Sequence, residues 1–434
     1  MDMEHPDMLE EILRHLPPRV LAAARCVCKA WRATVDHHRL LRVDLLPLSL
    51  DAVIYDVNHI APPKLFARRS TTRYITSRLD YLDNRPGYAE FTGEMADYCN
   101  GLFLTLNGKV VNPATRQWAS LPWIECGRCD KSNRYLVYDP TVSPHYEVFY
   151  IPRIPNDAAC RAEWPPSTYV MQVFSSKTNC WRDKSFVREG DAAGTIADVK
   201  SHWRSDANMY YAAYWQRSLY VPSRHTNGGF ILRINLSNDK YKVIMLPKRG
   251  KGLLERIGKS RKGVYCVLDV DGLSTYQIWF LSESRGVIDW VLNNEINFET
   301  AWRIYPSKDI DSGPWISQSL DQAELLLKND VNLKVVCEYN AALSKDGFEW
   351  ESNDGSVVTT MDCPKASNNY FLCLGFHPYK EIALFHNDYR SMTFAYYFNS
   401  SKVRYLGIME HMYSDLEISF AYAPCWMMDL PGSN

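Results

Sequence analysis

Residues 5–41 read HPDMLEEILRHLPPRVLAAARCVCKAWRATVDHHRLL. Leu9, Ile12, Leu13 and Leu16 recur at i, i+3, i+4 and i+7, which predicts an apolar face on a short helix. Pro17-Pro18 ends that helix. The residue before a proline is driven out of the α region, and a proline suits the first turn of the next helix. Val20, Leu21, Ala24, Val27, Cys28, Trp31 and Val35 continue at helical spacing up to His37-His38-Arg39. The chain thus opens with two or three short amphipathic helices and too few residues to enclose a core. Short helices are marginal alone, so part of this face must be covered by the rest of the chain or by another protein.

After about residue 44 the helical period gives way to short runs rich in Val, Ile, Tyr, Phe and Trp, separated by turn residues. Strands are predicted at 102–106, 135–138, 147–151, 169–174, 209–214, 230–234, 241–246, 264–270, 276–281, 370–376, 382–385 and 394–398. Asn107-Gly108, Asn227-Gly228-Gly229, Asp271-Gly272 and Asp354-Gly355 supply the positive φ that tight hairpins need. So many short antiparallel strands must close or stack their sheets to protect the edges.

A degenerate repeat indicates how they close. Val111-Asn-Pro-Ala-Thr-Arg-Gln-Trp118, Val173-Phe-Ser-Ser-Lys-Thr-Asn-Cys-Trp181, Ile234-Asn-Leu-Ser-Asn-Asp-Lys-Tyr241, Phe280-Leu-Ser-Glu-Ser-Arg-Gly-Val-Ile-Asp-Trp290 and Tyr397-Phe-Asn-Ser-Ser-Lys-Val-Arg-Tyr405 share one plan, and Tyr138–Val148 a looser form of it. Each is an apolar strand, a polar turn, and an aromatic opening the next strand. Recurrence every few tens of residues predicts a diverged β-propeller of roughly six to eight blades, with a pair of β-sandwiches as the alternative.

The N-terminal order of residues resembles an F-box: Leu9, Ile12-Leu13, Leu16-Pro17, Leu21, Arg25 and Val27-Cys28-Lys29-Ala30-Trp31-Arg32 follow the family pattern. The pattern's opening Leu-Pro falls on Glu4-His5, with the proline displaced to Pro6. The resemblance implies docking on a Skp-type adaptor, and through it on cullin and RING subunits of a ubiquitin ligase. It assigns that interface to Pro6, Leu9, Ile12, Leu13, Leu16, Pro17, Leu21, Val27, Cys28 and Trp31, some of them through packing within the module. Cys99-Asn-Gly-Leu, Asn112-Pro-Ala-Thr-Arg-Gln-Trp118, Tyr138-Asp-Pro140 and Phe174-Ser-Ser-Lys-Thr-x-x-Trp181 look like the F-box-associated region of plant F-box proteins. Ser185–Gly190 and Tyr422-Ala-Pro-Cys-Trp426 look like its grass-type members. That region is expected to bind a target protein for ubiquitination. The expected architecture is α+β and multidomain. It has an F-box module over residues 1–43, a connecting segment with a possible first blade over 44–94, and a mostly antiparallel, propeller-like domain over 95–430.

Composition fits that outline. In 434 residues, 49 Lys and Arg nearly balance 50 Asp and Glu, so no global field favours nucleic acid or membrane. No apolar run is long enough for a membrane span, and no secretory leader opens the sequence. The 12 scattered cysteines suit a reducing compartment, and the expected location is cytoplasm, nucleus or both. The sequons at Asn235 and Asn399 are read as coincidental.

Candidate chemistry is sparse. Cys126-Gly-Arg-Cys129 has half a zinc site's spacing with no second half, so no metal or other cofactor is expected. Cys26 and Cys28 are expected to pack as small hydrophobes, and His37-His38 to end a helix. Lys248-Arg249-Gly-Lys251, with Lys259 and Arg261-Lys262, is the one basic cluster, expected to be a solvated loop. Asp269-Val-Asp271-Gly272 starts like a calcium loop but lacks its later acidic ligand, so a hairpin turn is expected. Nucleophile-elbow, phosphate-loop, dinucleotide and zinc-protease signatures are absent, and a non-catalytic adaptor is expected. Two other readings stay open. One is a propeller-type binding protein without ligase coupling, kept by the displaced Pro6. The other is a carbohydrate-active propeller enzyme, suggested only by Ser344-Lys-Asp-Gly-Phe-Glu-Trp350.

Overall fold

The repeat corresponds to one recurring piece of structure, the hairpin joining the third and fourth strands of a four-stranded sheet. In five such units a left-handed residue lies in this turn: Arg116, Asn179, Asp239, Arg285 and Ser401, with φ between +52° and +56°. Polar side chains make the turns. Asn112 Oδ1 accepts the N–H of Ala114 at 3.1 Å and Asn235 Oδ1 that of Ser237 at 2.9 Å, so the side chain substitutes for a backbone acceptor.

The computed structural model describes residues 6–16, 21, 24, 27–38, 40, 50–57, 63–68, 95–124, 132–154, 161–201, 211–225, 228–247, 253–298, 313–318, 350, 370–409, 416–425 and 430. Cys126–Cys129, Lys248–Lys251 and all of Ser344–Trp350 except Trp350 lie outside them.

Among the described residues, five antiparallel four-stranded units follow one another along the chain and a sixth is built from separate segments. Blade I comprises Met95–Cys99, Leu102–Thr105, Lys109–Asn112 and Gln117–Ser120; blade II comprises Ser132–Val137, Glu147–Pro152, Thr168–Ser175 and Cys180–Glu189. Blade III comprises Ala213–Trp215, Ser218–His225, Gly228–Asn235 and Lys240–Met245; blade IV comprises Leu253–Ser260, Gly263–Asp269, Thr275–Ser284 and Val287–Asn297. Blade V comprises Phe371–Phe376, Ile382–Asn387, Met392–Tyr397 and Lys402–Ile408.

Blade VI is assembled from distant segments. Leu416–Tyr422 pairs with Ala52–Val57 in the register Ala52↔Tyr422 and Ile54↔Phe420. Ala52–Val57 pairs in turn with Lys64–Arg68, and Trp315–Gln318 adds the outer strand. The ring is thus closed by backbone hydrogen bonds between the two ends of the chain, and the fold is a propeller-like β domain of six four-stranded units after a short helical module. Blades II and III are further joined by parallel pairing of Val187–Glu189 with Lys240–Lys242, which merges them into one eight-stranded sheet.

The core lies between blades rather than at a single centre. One apolar cluster joins blades I, II and III, another joins IV to V, and a third joins V to VI. The aromatic opening the fourth strand works at these seams. Trp290 Nε1 donates to the carbonyl of Met245 in the preceding blade at 3.0 Å, and the Tyr241 hydroxyl donates to the carbonyl of Pro166 beside blade II. Two tight seams require glycine. A Cβ on Gly101 would lie 2.4 Å from Cys425 Cβ, and one on Gly407 would lie 2.1 Å from the Trp315 carbonyl oxygen.

The expected turn at Asp271-Gly272 behaves as its residues dictate, while Asn227 and Asp354-Gly355 lie outside the described residues. Asp271 Oδ1 accepts the N–H groups of Leu273, Ser274 and Thr275 at 2.9–3.0 Å, and Gly272 takes a φ of +75°. This is the hairpin between the second and third strands of blade IV.

Candidate functional site

The helical module contains α1 (Pro6–Arg14) and α2 (Lys29–His37) among its described residues. Its interior is made by Leu9, Leu13, Leu21, Ala24, Val35 and Leu40, with Leu16 and Trp31 half-buried against them. Glu10 ties the helices together on the surface, pairing with Arg14 and, at 3.0 Å, with His38 Nδ1.

The apolar arc of α1 is wider than this small core can use. Leu13 is 0% exposed, whereas Ile12 is 56% and Met8 61% exposed, one helical turn apart on a neighbouring stripe. Val27, in the turn before α2, is 64% exposed, and Cys28 beside it is exposed rather than packed as a small hydrophobe. The helix starts one residue after Cys28, so that side chain sits on the entry turn outside the Leu13–Val35 core.

The residues assigned to docking from sequence therefore divide. Leu9, Leu13 and Leu21 are interior; Leu16 and Trp31 border the core; Ile12, Val27 and Cys28 face outward. Pro6 begins α1, and Pro17 lies outside the described residues. Met8 was not singled out by sequence. Its i, i+4 relation to Ile12 was the available signal.

At the propeller hub, the inner strands surround a cavity of about 80 Å³. Tyr98 and Asn100 from blade I, Tyr214 from the start of blade III, Arg256 and Lys259 from blade IV, and Phe420 from blade VI contribute to its wall. Cys99-Asn-Gly-Leu, a motif of the family resemblance, is thus a hub turn. Asn100 adopts a φ of +46°, donates Nδ2–H to the Tyr138 carbonyl at 2.6 Å, and accepts from Lys259 Nζ on Oδ1 at 2.5 Å. The Cys99 thiol donates to the same Tyr138 carbonyl, and burial pushes it up to about 12, so it stays protonated.

Arg256 is pinned. Its Nη1 donates to the Cys373 carbonyl at 3.2 Å and to Ser419 Oγ at 3.0 Å, Nη2 donates to the Ser419 carbonyl, and the guanidinium lies 3.4 Å over the Tyr211 ring. Lys259 was expected in a solvated loop with the other basic residues. Instead it ends the inner strand of blade IV at the cavity, while Lys262 lies beside Glu381, 4.0 Å away. Desolvation lowers the Lys259 pKa, partly opposed by Cys99 and Asp139. No carboxylate is among the described residues of the wall. The paired acids that a glycosidase site needs are therefore not found there among those residues.

Among the described residues no group of three or more His, Cys, Asp or Glu side chains is placed to hold a metal ion.

Comparison with known proteins bears on the helical end. Residues 5–43 match the F-box domain model. A putative F-box protein of Arabidopsis thaliana is 25% identical over 296 residues, which span 64% of this chain and 67% of that protein. A second putative F-box protein of the same plant is 25% identical over 255 residues, spanning 56% of this chain and 60% of that protein. Among solved structures, a prolyl endopeptidase aligns over 95% of this chain and 54% of its own at 9% identity, with a TM-score of 0.35. A score that low does not establish a shared fold.

Proposed function

Taking as its premise an N-terminal F-box domain with homology to plant F-box proteins, we propose that the chain is the substrate-recognition subunit of a Skp–cullin–F-box ubiquitin ligase. F-box domains in general bind Skp-type adaptors. The observation that carries the reading for this chain is its surplus of exposed apolar side chains. Met8, Ile12 and Val27 stay largely exposed on a module whose own core is already filled by Leu9, Leu13, Leu21 and Val35. Covering these partly exposed side chains contributes a share of the about 1.5–3 kcal/mol each would give on full burial, which makes them candidate hot spots of a docking surface.

In this reading the F-box-associated β domain holds a target protein. Six rigid blades present loops at their ends, which is how such scaffolds acquire binding surfaces. The chain performs no bond chemistry itself. Ubiquitin transfer belongs to the RING side of the assembly, and this subunit contributes proximity. The subunit would act in the cytoplasm, the nucleus or both.

The test is reconstitution of purified full-length chain with a Skp-type adaptor, cullin and RING subunit. Co-elution as one stoichiometric complex supports the reading. A folded chain that elutes apart from the adaptor at micromolar concentrations contradicts it.

A further inference from the structure

The hub cavity has a chemistry that ligase coupling does not use. Two cationic side chains three residues apart on one strand, Arg256 and Lys259, line it, and neither has a carboxylate within 4.0 Å among the described residues. Arg256 is fully engaged by Cys373, Ser419 and Tyr211, so it provides fixed charge. Lys259 differs: its ammonium carries three donors and makes one hydrogen bond, to Asn100 Oδ1. Asp139 acts on it electrostatically from further off, and its Oδ1 is already engaged by the N–H and hydroxyl of Thr141. An ammonium in a largely apolar wall with donors the protein leaves unfilled is set to take an acceptor. The rest of the wall is largely aromatic and apolar, including Tyr98, Tyr214, Phe376 and Phe420.

From this juxtaposition we infer that the hub is a binding site for a carboxylate, whose oxygens take the open donors of Lys259 while Arg256 adds positive potential and the aromatic wall holds an apolar body. A volume of about 80 Å³ is several times the roughly 10–15 Å³ that one water needs on the same measure, so it admits a carboxylate head group. Asn100 is the positioning residue. Its Oδ1 orients the ammonium, and its Nδ2 is locked to the blade I–II seam through the Tyr138 carbonyl. Two sources share this chemistry: a free small organic acid, and an acidic side chain of a bound polypeptide.

The experiment uses the full-length protein and four probes at equal ionic strength: acetate, benzoate, and their neutral counterparts acetamide and benzamide. Binding is read by thermal stabilisation and by ligand-observed NMR. Saturable binding of acetate or benzoate without a matching amide response is expected. Lys259→Met is expected to weaken it by at least about tenfold, the scale of one lost charged hydrogen bond, and Lys259→Arg to retain it. A short peptide amidated at its C-terminus and carrying one Glu distinguishes the sources. Binding comparable to that of benzoate places the ligand on a polypeptide; binding of benzoate but not the peptide places it among small acids. Equal responses to acid and amide, no saturable response to either acid, or unchanged binding in Lys259→Met would overturn the inference. The wild-type acid–amide comparison decides the matter even if Lys259→Met fails to fold.

Discussion

The indole N–H of Trp181 donates to the carbonyl oxygen of Pro122 at 2.9 Å, hooking the outer strand of blade II to the end of blade I. The ring also packs against Tyr150 and Phe174, with centroids 4.6 and 5.4 Å away. Trp290 repeats the arrangement on Met245, so the aromatic of the sequence repeat serves the seam between blades.

Trp181→Phe keeps an aromatic ring and removes the donor. It is expected to lower stability by about 0.5–1.5 kcal/mol, the net worth of one hydrogen bond, with part of a ring's packing added. Trp181→Ala should cost clearly more than Trp181→Phe, because it also removes the ring's packing on Tyr150 and Phe174. Urea denaturation of both variants checks the order.

Asp97 gives the fold a pH dependence. It is buried in blade I, with Oδ2 accepting the Leu136 N–H at 2.7 Å and Oδ1 without a hydrogen-bond partner. Burial raises its pKa from 3.8 to about 8. Between those values the folded state holds a proton that the unfolded state has released, so stability falls as pH rises from about 4 towards 8 and levels off above it. Asp97→Asn removes this titration. Denaturation midpoints at pH 5 and pH 8 should differ less in the variant than in the wild type; an identical difference would contradict the assignment.

Two glycines separate backbone strain from collision. Gly101 and Gly190 have similar φ, +92° and +86°, but a Cβ on Gly190 meets nothing within 4 Å. Gly190→Ala should therefore cost only the roughly 1–2 kcal/mol of a left-handed residue. Gly101→Ala drives its Cβ into Cys425 at the ring closure and should cost clearly more, read by the same denaturation series.

Ring closure should show as end-to-end coupling. A chain lacking residues 1–69 loses two of the four strands of blade VI, leaving Leu416–Tyr422 without its partner. It is expected to unfold non-cooperatively or aggregate, because the exposed inner edge is a template for pairing. A chain lacking only residues 1–43 retains all the described strands and should melt cooperatively; calorimetry distinguishes the two.

The hairpin between the third and fourth strands was legible in sequence because it is local chemistry: a polar turn, a left-handed residue and an aromatic within about ten positions. Blade VI was not, because Ala52–Val57, Trp315–Gln318 and Leu416–Tyr422 meet only through long-range pairing. Lys259 was hidden by its neighbours, since Lys248, Arg249, Lys251, Arg261 and Lys262 make the stretch look uniformly solvated. On α1, periodicity identified an apolar arc but not which edge of it faces inward. Leu13 and Ile12 are adjacent in sequence and about 100° apart around the helix, and the size of the module's core decides between them.

That division makes the docking claim testable without unfolding the module. Leu13→Asp would destroy the core and prove nothing about the surface, whereas Ile12→Asp and Val27→Asp change only exposed side chains. The most direct measurement is the affinity of a purified Skp-type adaptor for the wild type and for the Ile12→Asp, Val27→Asp double variant, by calorimetry, with circular dichroism confirming that both are folded. Loss of about 1.4 kcal/mol or more, at least tenfold in Kd, is expected. Equal affinity in a folded double variant would contradict the assignment of Ile12 and Val27 to the adaptor interface.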